Sequence, residues 1–575
     1  MTVSPADWLS FPNRNVAARP RKAALRHNAP LLGVTVARHP AVILQKPIVP
    51  ANTSGLAVAQ PASMRVRTGA FRAPVLAAVI VLAGCAVGPN FHRPAAPAGA
   101  GFTTAPLPEA TASANVLGGD AQRFVTAQDV PFNWWEAFAS PALNALVWQA
   151  FRANPTVPAA QAALRQAQEL VYAQRGYFFP SVSAGYAFER QKVPGNTATS
   201  SAPGVQGNGQ NLAPSGPAQP LIYNFHTAEL TVGFTPDVFG SNRRKVESLD
   251  AQAQIARFEL EATYVTLASN VVAAAIQEAS IRAQIVAVKD IIAYNDKSLQ
   301  ILLDKFSQGY AMRIDVAAQE AQLAQAKALL PPLEKQFEQT RDLLRALAGK
   351  LPNQELAETF ELAALKLPQE LPLSLPSKII EQRPDVRAAE EQVRSANAQV
   401  GVAVAAMLPQ FSITGAVGGS ANEFSWLFRQ GGPFWNVVGG VTQPLFAGGT
   451  LLHTKRAADQ ALLQAAAQYE ETVLAAYQNV ADTLHAMLAD ADELAAALEA
   501  ERAAKITLDL TRERMEQGYS DYLTDLAAQI AYQQALLALV QAQSTRFGDT
   551  AALYQALGGG WWNRPHEPVS ASLNQ

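Results

Sequence analysis

From Ser241 to Gln308 the chain reads SNRRKVESLD AQAQIARFEL EATYVTLASN VVAAAIQEAS IRAQIVAVKD IIAYNDKSLQ ILLDKFSQ, 68 residues without a Pro or Gly, bounded by Gly240 and Gly309. A second run of 68, from Thr450 to Gln517, lies between Gly449 and Gly518. Breakers are this sparse only where a helix must continue. At 1.5 Å per residue each run predicts a rod of about 100 Å. Within the first, Ile281, Ile285, Val288, Ile292, Asn295, Leu299, Leu302 and Phe306 step by four and three, with Asn295 the one polar member. Val480, Leu484, Met487, Ala491, Leu494 and Leu498 repeat the rhythm in the second. That spacing is a coiled-coil seam.

Working outward, the rods sit inside a larger duplication. A shift of 229 residues matches Pro155 with Pro384, Val157 with Val386, Arg165 with Arg394, Val171 with Val400, Pro180 with Pro409 and Ser183 with Ser412. Helices are predicted from about Val157 to Tyr177 and from about Val386 to Met407. After Pro180 and Pro409 the period changes to two. Val182, Ala184, Tyr186 and Phe188 alternate with smaller or polar residues, as do Leu230, Val232 and Phe234, then Phe411 and Ile413. A last strand is expected over about Asn436 to Phe446, making four strands of membrane-barrel length. Loops are expected over about Gln191–Asn224 and Ala421–Phe434. Four strands cannot close a barrel, and open edges are not tolerated in lipid. Several copies must therefore share one wall.

Of 575 residues 16% are charged, against the usual ~25%. Residues 1–84 hold ten Lys/Arg against Asp7 alone, leaving 35 basic and 46 acidic residues beyond, a net of −11. An acidic body does not suit nucleic-acid binding. The single Cys excludes a disulfide framework within the chain and any Cys-rich metal site. His453 and His485 lie on the second rod without partners at metal-ligand spacing, and no enzyme motif is present. The expectation is no enzyme, no metal and no cofactor beyond a covalent lipid.

Residues 64–84 read as a signal peptide: three Arg, an apolar run from Ala73 to Leu82, then small residues. Leu82-Ala83-Gly84-Cys85 resembles a bacterial lipobox, which implies that Cys85 carries S-diacylglycerol and an N-palmitoyl group. Residues 1–63 are then expected to be a misassigned or dispensable extension, with Met64 the working start.

Ala86-Val87-Gly88-Pro89-Asn90-Phe91-His92-Arg93-Pro94 and Pro131-Phe132-Asn133-Trp134-Trp135-Glu136 resemble segments of the NodT-type efflux outer membrane lipoproteins, relatives of TolC and OprM. Ser140 and Thr156 stand where that family often has Asp. The turns at the rod ends, Gln308 to Gln319 and Gln517 to Gln529, resemble the family's tip motifs. The resemblance implies an α+β membrane protein: a trimeric 12-stranded outer-membrane β-barrel, four strands per protomer. A long periplasmic α-helical coiled-coil barrel continues it, with an equatorial mixed band from Leu351–Lys378 and the Gly558-Gly559-Gly560 tail. It implies an outer membrane exit duct for small solutes, docked to a periplasmic adaptor and an inner-membrane pump of RND type.

On that basis Tyr522, Leu523, Asp525, Ile314 and Asp315 are the periplasmic aperture candidates, and Gly309 and Gly518 the tip turns that meet the adaptor. Leu523 matches the family's constricting position, while Ala527 replaces its usual acidic partner. The expected divisions are an extended lipid-anchored segment over 85–130, a first repeat over 131–350, a linker over 351–380, a second repeat over 381–557 and a tail over 558–575. Pro331-Pro332 is expected to interrupt the return helix of the first repeat. The alternative reading is a lipid-anchored structural coiled coil or adhesin without a pore, for which barrel-length strands have no use.

Overall fold

The computed structural model describes residues 86–95, 101–193 and 221–564. The expected signal peptide over 64–84, the expected extension before it and Cys85 lie outside the described residues, as does most of the first expected loop.

The duplication is visible element by element. The first half contains α1 (Pro141–Ala153), α2 (Thr156–Gly176), β2 (Ser181–Val193), β3 (Leu221–Phe234), α3 (Ser241–Ser307) and α4 (Arg313–Leu347). In the second half α5 (Pro376–Gln382) leads into α6 (Pro384–Ala405), β5 (Gln410–Ala421), β6 (Pro433–Thr442), α7 (Thr450–Glu516) and α8 (Tyr522–Ala556). Both rods, α3 and α7, are 67 residues long, and both return helices are 35. In the seam of α3, Ile281, Val288, Asn295 and Leu302 are buried. Ile285, Ile292 and Leu299, on the alternate positions, are only partly covered. Asn295 donates to Ile291 O at 2.8 Å and its Oδ1 accepts from Gln319 Nε2 on α4 at 3.1 Å. A satisfied polar residue in an apolar seam pins the register of α3 against α4.

One expectation about α4 is corrected: Pro331 and Pro332 lie inside a continuous helix. The two imides withdraw hydrogen bonds from the carbonyls of Lys327 and Ala328. All four residues are exposed, so water replaces the lost donors.

The four long strands form one antiparallel sheet in the order β2-β3-β5-β6. β2 and β3 reach further than expected, pairing out to Val193 opposite Leu221. The last strand lies earlier than expected, over Pro433–Thr442 rather than Asn436–Phe446. Pro444 cannot donate to a ladder and ends it, leaving Leu445 and Phe446 exposed.

Residues 101–130 do more than run extended over the surface. β1 (Arg123–Thr126) pairs in parallel with β4 (Glu370–Leu373), and Ala110 bridges Arg123 to close a loop. Arg546 on α8, almost fully buried, donates from Nη2 to Thr111 Oγ1 at 2.9 Å and Asp120 O at 2.7 Å inside that loop. Gln122 Nε2 reaches Pro368 O and Thr550 Oγ1. The main core lies at this band, where Trp134, Trp135, Phe138 and Phe151 pack with Phe547 and Tyr554 of α8. Trp134 stacks on Tyr554 at 5.2 Å between ring centroids.

The segment that follows Cys85 is pinned at the base of the sheet. Val87 N donates to Phe239 O, and Arg244 at the start of α3 donates to Val87 O, Gly88 O and Asn90 Oδ1. Asn397 on α6 donates to Pro89 O, and Arg93 pairs with Glu390 at 3.0 Å. Gly88 crosses Gly401 so closely that a Cβ on Gly88 would come within 2.5 Å of the Gly401 Cα.

Candidate functional site

Two features of the described chain are the candidates for function: an unclosed sheet and a pair of tip turns. In the sheet, residues opposite one another share a face. Val182, Tyr186 and Phe188 of β2 fall on one face with Leu230 and Val232 of β3, Ile413 and Val417 of β5, and Trp435, Val437 and Val441 of β6. These large apolar side chains are all exposed. The other face carries Ser181, Ser183, Thr227, Thr231, Ser412, Thr414, Asn436 and Thr442, and Ser183 Oγ lies 2.7 Å from Thr231 Oγ1. An apolar exterior over a polar interior is the pattern of a strand wall between lipid and water. Aromatic groups mark both ends: Tyr186, Phe188, His226 and Phe424 cluster at one, Phe239 and Phe411 at the other. Among the described residues β2 and β6 each have one edge unpaired.

The tips are built twice by the same local chemistry. α3 ends with Gly309 N donating to Phe306 O and Tyr310 N to Lys305 O. α7 ends with Gly518 N donating to Met515 O and Tyr519 N to Arg514 O. Gly309 and Gly518 have φ of 82° and 78°, the left-handed conformation that closes a helix of this kind and that L side chains resist. No atom lies within 4 Å of a Cβ built on either, so the backbone angle and not crowding within the chain demands glycine. The return helices are capped differently. Asp315 reaches back, Oδ2 accepting from Met312 N at 3.1 Å, whereas Asp521 is itself the cap, Oδ1 accepting from Thr524 N at 2.9 Å. The Thr524 hydroxyl and then the Thr524 N–H, both donating to Asp521, hold its carboxyl below its ordinary range.

The five aperture candidates do not share one environment. Ile314 and Leu523 are exposed at the tips, at 66% and 54%. Asp315 and Tyr522 are partly covered. Asp525 is 2% exposed, enclosed by its own chain and accepting from Gln529 Nε2, so in this conformation it lines no opening. The Tyr522 hydroxyl donates to Gln319 Oε1 on α4. Gln319, fully buried, passes its own amide to Asn295 O and Oδ1 on α3. Burial, then Asp525 and Asp315 nearby, push the Tyr522 phenol up from its ordinary value, so it remains a neutral donor.

A second tie joins α7 to α3. Arg512 donates to the Tyr294 hydroxyl, with its guanidinium carbon 4.8 Å from the ring centroid. Gln322 Nε2 on α4 donates to Gln533 Oε1 on α8 at 3.2 Å. Sequence reasoning did not single out Gln319, Tyr294 or Arg512; the polar Asn295 in an apolar seam was the one available pointer.

A family model described as "Outer membrane efflux protein" matches residues 146–350 and 375–559. That is well over half the chain, which belongs to this family of outer membrane efflux channels. Particular relatives fill in the picture. The probable efflux pump outer membrane protein SepC of Pseudomonas putida is 26% identical over 501 residues, covering 86% of this chain and 98% of the relative. The pyoverdine export outer membrane protein OpmQ of Pseudomonas putida is 28% identical over 431 residues, covering 74% and 88%. The solved outer-membrane channel OprN superposes with a TM-score of 0.71 at 25% identity, over 83% of this chain and all of that one. The Campylobacter jejuni CmeC channel shares the fold, with a TM-score of 0.70 at 21% identity over 83% of this chain and 95% of that one. The chain is an outer membrane efflux channel of the TolC-like fold with a periplasmic helical extension, and it is not an enzyme. Relatives such as SepC and TtgC are named as outer membrane proteins of efflux pumps.

Proposed function

We propose that three copies of this chain close one twelve-stranded barrel and form the passive exit duct of a tripartite efflux pump. The observation that carries the reading is the four-stranded sheet with an exposed apolar face and, among the described residues, an unpaired edge on each of β2 and β6. Its strands are 10 to 14 residues long, enough for the ~9–11 that cross a bilayer. A sheet in lipid must lose its edges, and pairing β2 of one copy with β6 of the next does so. The adhesin alternative leaves that apolar face without a use.

Cys85 is the proposed lipid attachment, with S-diacylglycerol and N-palmitoyl groups, and the pump is proposed to be of RND type. The aperture is proposed to be ringed by Leu523 and Ile314, with Asp315 rather than Asp525 as the carboxylate facing the axis. The ties Tyr522–Gln319 and Arg512–Tyr294 hold the second helical hairpin against the first in the closed conformation. Gly309 and Gly518, with nothing packed over them, are the proposed adaptor contacts. Relatives are named for toluene, solvent and antibiotic efflux and for pyoverdine export, and small apolar or amphiphilic solutes are the proposed cargo. Purified protein added to planar lipid bilayers should produce discrete conductance steps. A fully folded preparation that inserts but never conducts would refute the duct.

A further inference from the structure

At the base of the sheet lies a cavity of about 350 Å³. Tyr177 at the end of α2, Asp237 and Phe239 in the turn after β3, Asn242 and Lys245 in the first turns of α3, and Phe411 at the start of β5 line it. Its size falls in the range of small-ligand sites. We infer that this cavity binds the headgroup and glycerol of an ethanolamine phospholipid from the membrane leaflet that meets the periplasm.

The inference rests on the barrel reading, which puts the ends of β3 and β5 at the membrane boundary. The cavity lining takes in the ends of these two inner strands, Thr235 just after β3 and Gln410 and Phe411 at the start of β5. Exposed Tyr177 and Phe179 stand at the same level, where amphipathic and aromatic rings suit a lipid–water interface. The lining matches a zwitterion. Lys245 is exposed and has no described partner, and the Asn242 Nδ2 is buried without an acceptor, while its Oδ1 accepts from Gln174. Three residues apart on one helix, the two donors face the same way, toward a phosphodiester. Asp237 supplies the opposite charge for an ammonium. Its carboxylate already accepts from Asn242 N and Arg243 N at 2.9 Å, so the helix amides are spoken for and the anion must be met by side chains. Phe239 and Phe411, with ring centroids 6.3 Å apart, cover the ester region.

The test is native mass spectrometry of the delipidated full-length protein titrated with dioleoyl phosphatidylethanolamine, alongside bilayer conductance. One lipid retained per chain is expected, with occupancy falling about tenfold in the Asn242→Leu, Lys245→Glu double variant while conductance persists. Equal retention by the double variant overturns the inference. So does displacement of the lipid by inorganic phosphate at equal concentration, which would make the cavity a simple anion site. So does binding that arises only when Cys85→Ser removes the chain's own anchor, which would make that anchor the occupant. Loss of conductance in the unaltered protein would instead count against the duct itself, so the two failures are told apart.

Discussion

Tyr522 ties its packing to the gate proposed above. Its hydroxyl is committed to Gln319, and Gln319 is committed to Asn295, so moving α8 at the tip leaves a buried amide without its partner. Such a loss costs about 1–3 kcal/mol, enough to bias a closed state without locking it. Tyr522→Phe combined with Leu523→Ser should raise single-channel conductance several-fold; an unchanged conductance removes both residues from the gate. Asp490 on α7 offers a second residue-scale test. Burial and the neighbouring Asp549 carboxyl push its pKa up from 3.8 to about 7, with Glu493 adding to the shift and Arg546 opposing it. The folded chain therefore holds a proton that the unfolded chain releases. The resulting stabilisation is complete below 3.8 and lost as pH rises through about 7. Asp490→Asn should flatten the pH dependence of melting over that window and melt above the unaltered protein at pH 8. An identical slope in both proteins would show that Asp490 does not titrate there.

Among the elements, the rods were the most legible in the sequence. Helix continuity follows from the local absence of Gly and Pro, and α3 and α7 end one residue short of Gln308 and Gln517. The sheet was legible in its core and not at its ends. Polar Gln191 and Tyr223 looked like loop but pair across β2 and β3 through a side-chain hydrogen bond. The band was least legible, because its bonds span the chain: Arg546 to Asp120, Gln122 to Thr550. No local pattern encodes such pairs. The aperture assignments show the same limit, since Asp525 lies four residues from Gln529 on one helix face and its burial depends on helices far away in sequence.

The strand register also places Glu189 and Glu229 on the polar face, where the described strand residues include no Lys or Arg. Carboxylates converging on a water-filled lumen favour cations. Glu189→Gln with Glu229→Gln should lower the cation-over-anion permeability ratio; an unaltered reversal potential in a salt gradient would place these groups away from the current path. On α3, Glu278 is fully buried and paired with Arg282 at 2.7 Å and Arg341 at 3.1 Å. Arg341 also donates to Leu356 O, so this ion group fastens α4 and the band to the rod. Glu278→Ala should destabilise the fold by about 3 kcal/mol, because two cations lose their counter-charge. A melting temperature within error of the unaltered protein would show the group to be dispensable.

For the whole molecule, the decisive property is incompleteness. Among the described residues, one chain presents an apolar sheet face with nothing over it, two unpaired edges, and alternate seam positions on α3 that its own helices only partly cover. Each of these is explained at once if neighbouring copies supply the missing contacts. The segment after Cys85, clasped by Arg244 and Asn397, would then hold the proposed lipid attachment close against the foot of the strands. The number of chains in the detergent-solubilised particle, counted by native mass spectrometry with the strands shown to be folded, tests this most directly. A particle of three chains is the predicted result; a single chain with an intact sheet would contradict the shared wall and the duct built on it.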